Sequence, residues 1–458
     1  MDTSSRKDRI NSLTTGPLWR HIWQMSWPML LIMIFTFLVG FADIYVAGLI
    51  NPSVQAAVGF ISQLYFLLII LANAISIGTV AVISRNIGAG ENAEATANAK
   101  QSLIFGFVVA VVLTIVARVF SREIIAVAGF PPEISAIGDT FLRIFAFALG
   151  PYYLLIISNA VFRASGEVRK PVLTMFVVSA VTIVGDFCLV FGIPPFPRMG
   201  FAGIALATAV AATLGMTINL CFFALHRWQI LYRRPWTISV MAIRTITQLG
   251  WPAVLLQIAW NAGSIVLYNI LGRLGAARIV ALAALTNGLR IEAIIFLPPM
   301  ALNMAAAVLV GQNLGAKNPE RAEALGWKIA WAGVLMISAI SICIFMGARS
   351  FAALLSHDPA VLAETTRYLR IILFSEPFMA MSLILGGGLQ GAGDTRGTMG
   401  VIIISMWLIR LPLAFLLALM LGYGAVGAWA AMVTSMTIQG ILMARRFYQG
   451  RWKLLQVA

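Results

Sequence analysis

The chain carries the stretch SWPMLL at residues 26–31 and the related stretch GWPAVL at residues 250–255, and each opens a long apolar run. Three further pairs of motifs recur: RNIGA at 85–89 with QNLGA at 312–316, RASGE at 163–167 with QGAGD at 390–394, and GFAG at 200–203 with GAVG at 424–427. The offsets are 224, 227, 227 and 224 residues. The sequence therefore indicates one unit that was duplicated almost without insertions.

The composition is that of a membrane protein. Of 458 residues, 60% are hydrophobic and 11% are charged, whereas soluble chains carry roughly 25% charged residues. Apolar runs of about 20 residues, enough to cross a bilayer as a helix, recur throughout. Twelve are predicted, centred near residues 36, 70, 110, 151, 182, 213, 259, 295, 336, 378, 409 and 435. The predicted fold class is an all-α integral membrane protein with twelve transmembrane helices in two six-helix lobes.

The predicted lobes are residues 1–225 and 245–458, joined by a basic connector at 226–244. Each copy holds an even number of spans, so both have the same orientation in the membrane. The lobes are therefore expected to be related by a pseudo-two-fold axis along the membrane normal. A duplicated helical unit of this kind is typical of transporters whose two bundles face a shared cavity.

The formal net charge of +15 has an uneven distribution. Of the 32 Lys and Arg residues, 21 lie in the termini and in loops on the same side, about nine lie on the opposite side, and Arg290 and Arg410 fall within spans. Positive residues concentrate in cytoplasmic loops. Both termini are therefore predicted to be cytoplasmic, in the plasma (inner) membrane of a prokaryote. The charge reflects topology, and no nucleic-acid partner is expected.

Motifs of enzymatic chemistry are missing from the sequence. There is no HExxH, GxSxG or Gly-Lys-Ser/Thr phosphate loop, and Cys188, Cys221 and Cys343 lie in apolar stretches without metal-like spacing. An ATP-driven pump or an intramembrane hydrolase would need such motifs. The sequence predicts neither an enzyme nor a cofactor, and energy is expected to come from an ion gradient.

Acidic residues inside the spans are the candidates for that coupling. Four of the 17 acids fall well inside apolar runs: Asp43, Asp186, Glu292 and Glu376. A carboxylate in hydrocarbon is costly, so such residues normally face a bundle interior and mark ion or proton pathways. A structural salt bridge or an inward polar cap is the alternative for each.

Asp43 and Asp186 have the least charge compensation of the four. At an offset of 224 they align with Leu267 and Arg410, so they are not part of the duplicated scaffold. They are predicted to form a carboxyl pair that loads and releases a proton or shares a small cation such as Na⁺. Three neutral oxygen ligands are predicted beside them: Thr182 one turn before Asp186, Asn159 in span four and Thr208 in span six.

The second half is predicted to hold a compensated network in which Glu292 and Glu376 pair with Arg290 and Arg410. Glu292 lies two residues from Arg290, so these two side chains point to different faces of one helix and need other partners. A compensated network is more often structural. A structural role is therefore favoured there over an ion pathway.

The motifs resemble those of a known family. The segment ADIYVAG at 42–48 resembles the first-span acidic motif of the multidrug and toxic compound extrusion (MATE) transporters, and QNLGA and QGAGDTR, at 312–316 and 390–396, resemble its cytoplasmic motifs. The similarity covers nearly the whole chain, and the motifs most resemble those of the prokaryotic DNA-damage-inducible branch. The resemblance implies a V-shaped pair of six-helix lobes that exports drugs in exchange for H⁺ or Na⁺.

The resemblance also implies roles for individual residues. A first-lobe site would gather Asp43 and Asp186, with a threonine at Thr208, and Pro28 matches a first-helix proline around which bending has been proposed. Glu376 aligns approximately with a second-lobe acid used by some relatives. The family often has Asn where this chain has Thr182, and the loss of an amide oxygen favours protons over Na⁺.

The sequence thus predicts a secondary active multidrug efflux transporter, a monomer in the lipid bilayer that exports bulky, often cationic apolar compounds by alternating access. Its aromatic and Met residues suit such ligands. The alternative is a flippase for a lipid-linked oligosaccharide precursor, for which a strongly cationic cavity is expected. A non-transporting receptor or scaffold would not require unpaired acids at mid-membrane depth.

Overall fold

The computed structural model describes residues 13–50, 52–127, 132–224, 228 and 238–455, and helices dominate these ranges. Ten helices are long and apolar enough to cross a membrane, and two bent helix pairs bring the number to twelve if each pair is one span. The predicted all-α class with twelve spans is confirmed. The elements of the first copy are α1 Leu18–Ile50, α2 Pro52–Gly88, α3 Asn92–Val119, α4 Ser121–Val127, α5 Pro132–Ala164, α6 Arg169–Phe191 and α7 Phe201–Ala224.

The second copy contains more and shorter helices. They are α8 Val240–Gly272, α9 Arg278–Ile295, α10 Leu297–Gly315, α11 Pro319–Met346, α12 Ala348–Ala353, α13 Pro359–Ile372, α14 Glu376–Gly391, α15 Thr395–Met420 and α16 Gly424–Tyr448. Within α15, the turns Ile404–Arg410 and Leu416–Met420 are π-helical. The second copy therefore contains irregular helical turns within a span.

Two spans of the second copy are broken where the first copy is continuous. The axis bends by 45° between α9 and α10 and by 55° between α13 and α14. Each following helix has a proline in its first two positions, and proline supplies no backbone donor to continue the preceding helix. The corresponding first-copy spans, α2 and α5, each run through as one helix. The breaks lie next to the buried acids Glu292 and Glu376.

The chain divides into two compact units, whose boundaries differ from those of the duplicated copies at the starts of α1 and α8. One unit contains Trp27–Gly250, and the other contains Ser12–Ser26 and Trp251–Val457. The first turns of α1 thus belong with the second copy, and the first turns of α8 belong with the first. Both boundaries fall at the recurrent Trp-Pro steps, whereas the sequence placed the lobes at 1–225 and 245–458. The predicted connector at 226–244 lies largely outside the described residues.

Close contacts fix these helix ends. In the first unit, a Cβ on Gly78 would overlap the carbonyl oxygen of Ile246, and a Cβ on Gly250 would overlap that of Ala74. The backbones of α2 and α8 therefore touch, as only glycine permits. In the other unit, two side chains hold the residues that precede α1. Asn313 donates to the Leu13 carbonyl at 3.4 Å, and Arg321 donates to the Gly16 carbonyl at 2.8 Å.

The recurrent glycine motifs form the same helix end four times. The backbone N–H after the turn donates to the carbonyl five residues earlier, at 2.8 to 2.9 Å, in Glu91–Asn86, Glu167–Phe162, Asn318–Asn313 and Asp394–Leu389. Gly90, Gly166, Gly393 and Lys317 take the positive φ that this cap needs. Lys317 occupies the position of Gly90 in the second copy. These turns are therefore helix C-caps.

Candidate functional site

The first unit brings its two intramembrane aspartates together. The carboxyl groups of Asp43 on α1 and Asp186 on α6 lie within hydrogen-bonding reach of each other. Asp186 is completely buried and Asp43 is partly exposed. A carboxylate has no donor of its own, so a hydrogen bond between two carboxyl groups needs a proton on one of them. The arrangement therefore suits a pair that holds a single proton.

The register of α1 and α6 places the carboxyl groups opposite each other. The Ser179 hydroxyl on α6 donates to the Phe35 carbonyl on α1 at 3.2 Å, and the Phe35 and Phe176 rings meet edge to face with centroids 5.7 Å apart. Asp43 follows Phe35 by eight residues, and Asp186 follows Ser179 by seven. Both intervals are about two helical turns, so one contact between the helices predicts the other.

Basic residues are absent from the pair's surroundings in the described part of the chain. Neither aspartate forms an ion pair there, and both oxygens of Asp186 are buried without a donor other than the facing carboxyl group. Tyr152, next to Pro151 on α5, lies within electrostatic range of Asp43. No sequence pattern distinguishes Tyr152, because it lies among apolar residues.

Two of the three predicted neutral ligands lie on α6 and α7, the helices that meet next to Asp186. The Thr182 hydroxyl donates to the Val178 carbonyl at 2.9 Å, and the Thr208 hydroxyl donates to the Ile204 carbonyl at 3.2 Å. Each hydroxyl oxygen keeps its lone pairs for a proton donor or a cation. Helices α6 and α7 touch at Gly185 and Ala207, which directly precede Asp186 and Thr208.

Asn159 lies in a different polar cluster. Its side-chain oxygen accepts from Asn219 at 2.9 Å, and Asn219 also donates to Ser158 and accepts from Thr174, both at 2.7 Å. Thr174 precedes Asp186 by twelve residues, roughly 18 Å along α6. Among the described contacts none joins Asn159 to either aspartate. The position of Asn159 within span four does not bring it to the depth of the aspartates. Its amide instead binds Asn219 on α7, near the other end of the helices.

The contact of α6 with α7 provides a test of this geometry. A Cβ at Gly203 on α7 would lie 2.9 Å from the backbone of Leu189 and Val190. We expect Gly203→Ala to force the two helices apart beside Asp186, to destabilise the protein by about 1–3 kcal/mol and to reduce transport per folded molecule. Thermal unfolding and export, both normalised to the amount in the membrane, measure this.

Gly40→Ala is the matched control for that variant. Gly40 lies on α1 three residues before Asp43, and no atom lies within 4 Å of a Cβ built there. Its stability and export should match those of the wild-type protein. Equal behaviour of the two variants would contradict the inferred dependence of the aspartate pair on close α6–α7 packing.

The second unit contains a separate buried network. The Tyr368 hydroxyl on α13 donates to the Glu292 carboxylate on α9, and both residues are buried. Arg410 on α15 donates through Nε to the Ser435 hydroxyl at 2.8 Å, and its guanidinium lies 5.2 Å from the centroid of the Trp260 ring. Arg410 is within electrostatic range of Glu292. Neutral hydroxyls therefore complete a network that the sequence assigned to charged residues alone.

The predicted pairing of glutamates with arginines is limited to the electrostatic interaction of Arg410 with Glu292. Arg290 is exposed, because it lies on the face of α9 that points away from Glu292, and no ion pair among the described residues joins either glutamate to an arginine. Glu376 is completely buried, and its two carboxyl oxygens have no hydrogen-bond partner. It interacts electrostatically with Glu292.

Irregular helices surround this network. Glu292 and Glu376 flank the two helix breaks, and Arg410 is the last residue of a π-helical turn. Single π-helical turns inside helices are frequent at functional sites. The second copy thus departs from the regular helices of the first at the places where its buried charges lie.

Known proteins resemble the chain over nearly its full length. It is 25% identical over 424 residues to a probable multidrug resistance protein, NorM, of Thermotoga maritima, which covers 91% of this chain and 89% of that protein. It is 23% identical over 433 residues to the uncharacterized transporter YisQ of Bacillus subtilis, with 94% of each chain covered. The solved structure of a MATE protein in the bent conformation superposes with a TM-score of 0.86 at 20% identity and covers 97% of this chain and 98% of that one.

The family model named MatE matches twice, at residues 28–188 and 252–416. The matched segments make up more than half of the chain and coincide with its two copies. Each begins at the proline of a recurrent Trp-Pro step, and the first ends two residues after Asp186. The chain therefore belongs to the MATE family of membrane transporters, and it is not an enzyme.

Proposed function

We propose that this protein exports bulky, often cationic apolar compounds in exchange for protons. The supporting observation is the contact of Asp43 with Asp186 without a basic partner in the described part of the chain. Two carboxylates in contact at low dielectric cannot both stay ionised, so the pair retains a proton when it is empty. A cation that approaches the pair competes with that proton, and this competition produces exchange.

The two aspartates have different access. Asp43 is half-buried and Asp186 is completely buried, so we propose that protons reach the pair through Asp43. The singly protonated pair favours close packing of α1 on α6. The fully ionised pair favours a state that binds the cationic compound. A ligand shifts such an equilibrium only by its difference in affinity for the two states, and the carboxyl pair supplies this difference.

The donor set favours protons over Na⁺ as the coupling ion. Thr182 stands one turn before Asp186, where an amide would offer a carbonyl oxygen, and its hydroxyl proton is already donated within α6. Two carboxyl groups and two hydroxyl oxygens then remain for a cation. The acidic character of this site also argues against a flippase for a lipid-linked oligosaccharide, since a pyrophosphate group needs positive charge.

Further features are part of the same proposal. The protein would act as a monomer in the inner membrane of a prokaryote, with both termini cytoplasmic, since 21 of its 32 Lys and Arg residues lie on that side. Its relative from Thermotoga maritima carries the name of a multidrug resistance protein, which supports drugs as substrates.

Transport in proteoliposomes tests the proposal. The purified protein is reconstituted with a fluorescent cationic dye, and either a pH gradient or a Na⁺ gradient at equal pH is imposed. We expect the pH gradient to drive dye movement and the Na⁺ gradient to have no effect. Movement driven by Na⁺ alone would overturn proton coupling. Scrambling of a lipid-linked glycan without dye transport would favour the flippase.

A further inference from the structure

An apolar groove lies between α8 and α15 in the unit that contains Trp251–Val457. It encloses about 330 Å³ and is lined by Ile265, Val266, Asn269, Ile270, Arg273, Leu411 and Phe415. Its lining includes exposed apolar side chains, since Ile265 is 70% exposed and Phe415 is 43% exposed. Within a membrane span such side chains meet hydrocarbon.

Packing below the groove explains why it opens. A Cβ at Gly263 would lie 2.5 Å from the Met406 methyl carbon, and the Trp407 indole N–H donates to the Ala259 carbonyl at 3.1 Å. Helices α8 and α15 are therefore in tight contact along 259–263 and 406–407. Beyond this contact, the facing segments are residues 265–273 and Leu411–Phe415. The second segment lies between the two π-helical turns of α15.

The groove ends at a free positive charge. Arg273 directly follows the last residue of α8, is exposed, and forms no ion pair among the described residues. Asn269 lies one turn earlier. From Ile265 to Arg273 the groove runs about 12 Å along the helix. An apolar trough of this length that ends in a guanidinium at the helix end matches an acyl chain attached to a phosphate.

We propose that the groove binds one phospholipid with an anionic head group, from the leaflet in which α8 ends. The acyl chain fills the trough between α8 and α15, and the phosphate accepts from the Arg273 guanidinium, whose planar donors suit phosphate oxygens. The bilayer supplies this ligand at high local concentration. A cationic export substrate is the less suitable occupant, because Arg273 repels it.

Photocrosslinking tests this assignment. The full-length protein is reconstituted in phosphatidylcholine bilayers that contain phosphatidylglycerol with a photoreactive acyl chain, and the labelled peptides are mapped by mass spectrometry. We expect labelling of residues 265–273 and 411–415. Arg273→Gln should lower this labelling about fivefold, the order of attraction between one arginine and an anionic membrane surface, and should leave labelling by photoreactive phosphatidylcholine unchanged.

Two further variants sharpen the result. Arg278→Gln removes an exposed arginine five residues along the chain that does not line the groove, and it should leave labelling unchanged. Val266→Trp fills the trough and should reduce labelling by both lipids. Equal labelling by phosphatidylglycerol in the wild-type protein and Arg273→Gln would overturn the head-group contact. Competition by the cationic dye, with no dependence on lipid charge, would assign the groove to the transported compound instead.

Discussion

The Asp186→Asn variant is expected to reach the membrane in normal amount and to lose drug export down to the level of cells without the protein. Asparagine keeps the shape of the side chain, and its amide N–H₂ can donate to Asp43 as the protonated carboxyl group does. The fold should therefore persist while the pair loses the site that releases a proton. Minimum inhibitory concentrations of cationic drugs, compared with membrane abundance, measure this.

Asp43→Asn should behave in the same way, since exchange needs both carboxyl groups. Asp139→Asn is the control. Asp139 lies at the start of α5 and forms an ion pair with Arg143 at 3.1 Å, away from the aspartate pair. It should retain export. Normal drug resistance in cells that carry Asp186→Asn would remove the proposed site.

The Arg410→Met variant is expected to lose about 3–5 kcal/mol of stability, the cost of removing one partner from a buried charged network. Arg410 is 3% exposed and is the positively charged group in electrostatic contact with Glu292. Without it, Glu292 has no compensating positive charge among the described residues, and the Ser435 hydroxyl loses its donor. Thermal unfolding in detergent measures the loss.

A double variant, Arg410→Met with Glu292→Gln, should recover most of that stability, because Glu292, the glutamate in electrostatic contact with Arg410, then carries no charge. Arg290→Met should have no effect, since Arg290 is exposed. If Arg410→Met and Arg290→Met unfold at the same temperature, the network does not stabilise the second unit through Arg410.

The sequence was sufficient to predict the spans and the duplication, and it selected Asp43 and Asp186 as candidate site residues. Span length and hydropathy determine which segments cross a membrane, and the cost of burying a carboxylate singles out those two residues. The contact of Asp43 with Asp186 follows from the contact of Ser179 with Phe35, which lies about two turns earlier on both helices. No pattern in the sequence predicts that earlier contact.

Three features could not be predicted from the sequence. The sequence does not show which face of α9 meets the neighbouring helices, so Arg290 was assigned to a network that it does not face. Hydroxyl groups such as those of Tyr368 and Ser435 carry no charge, and they become visible as network members only when the helices are packed. The assignment of the first turns of α8 to the first copy's unit depends on the contacts of Gly78 and Gly250. The assignment of the first turns of α1 to the second copy's unit depends on donation from Asn313 and Arg321 to residues that precede α1.

Proton release on dye binding tests the carboxyl pair most directly. In weakly buffered detergent solution, saturating dye is added to the purified protein and the change in pH is recorded. The wild-type protein should release about one proton for each dye bound, because the bound cation replaces the proton shared by Asp43 and Asp186, and Asp186→Asn should bind dye weakly and release none. Equal proton release from the two proteins, or none from the wild-type protein, would contradict exchange at this pair.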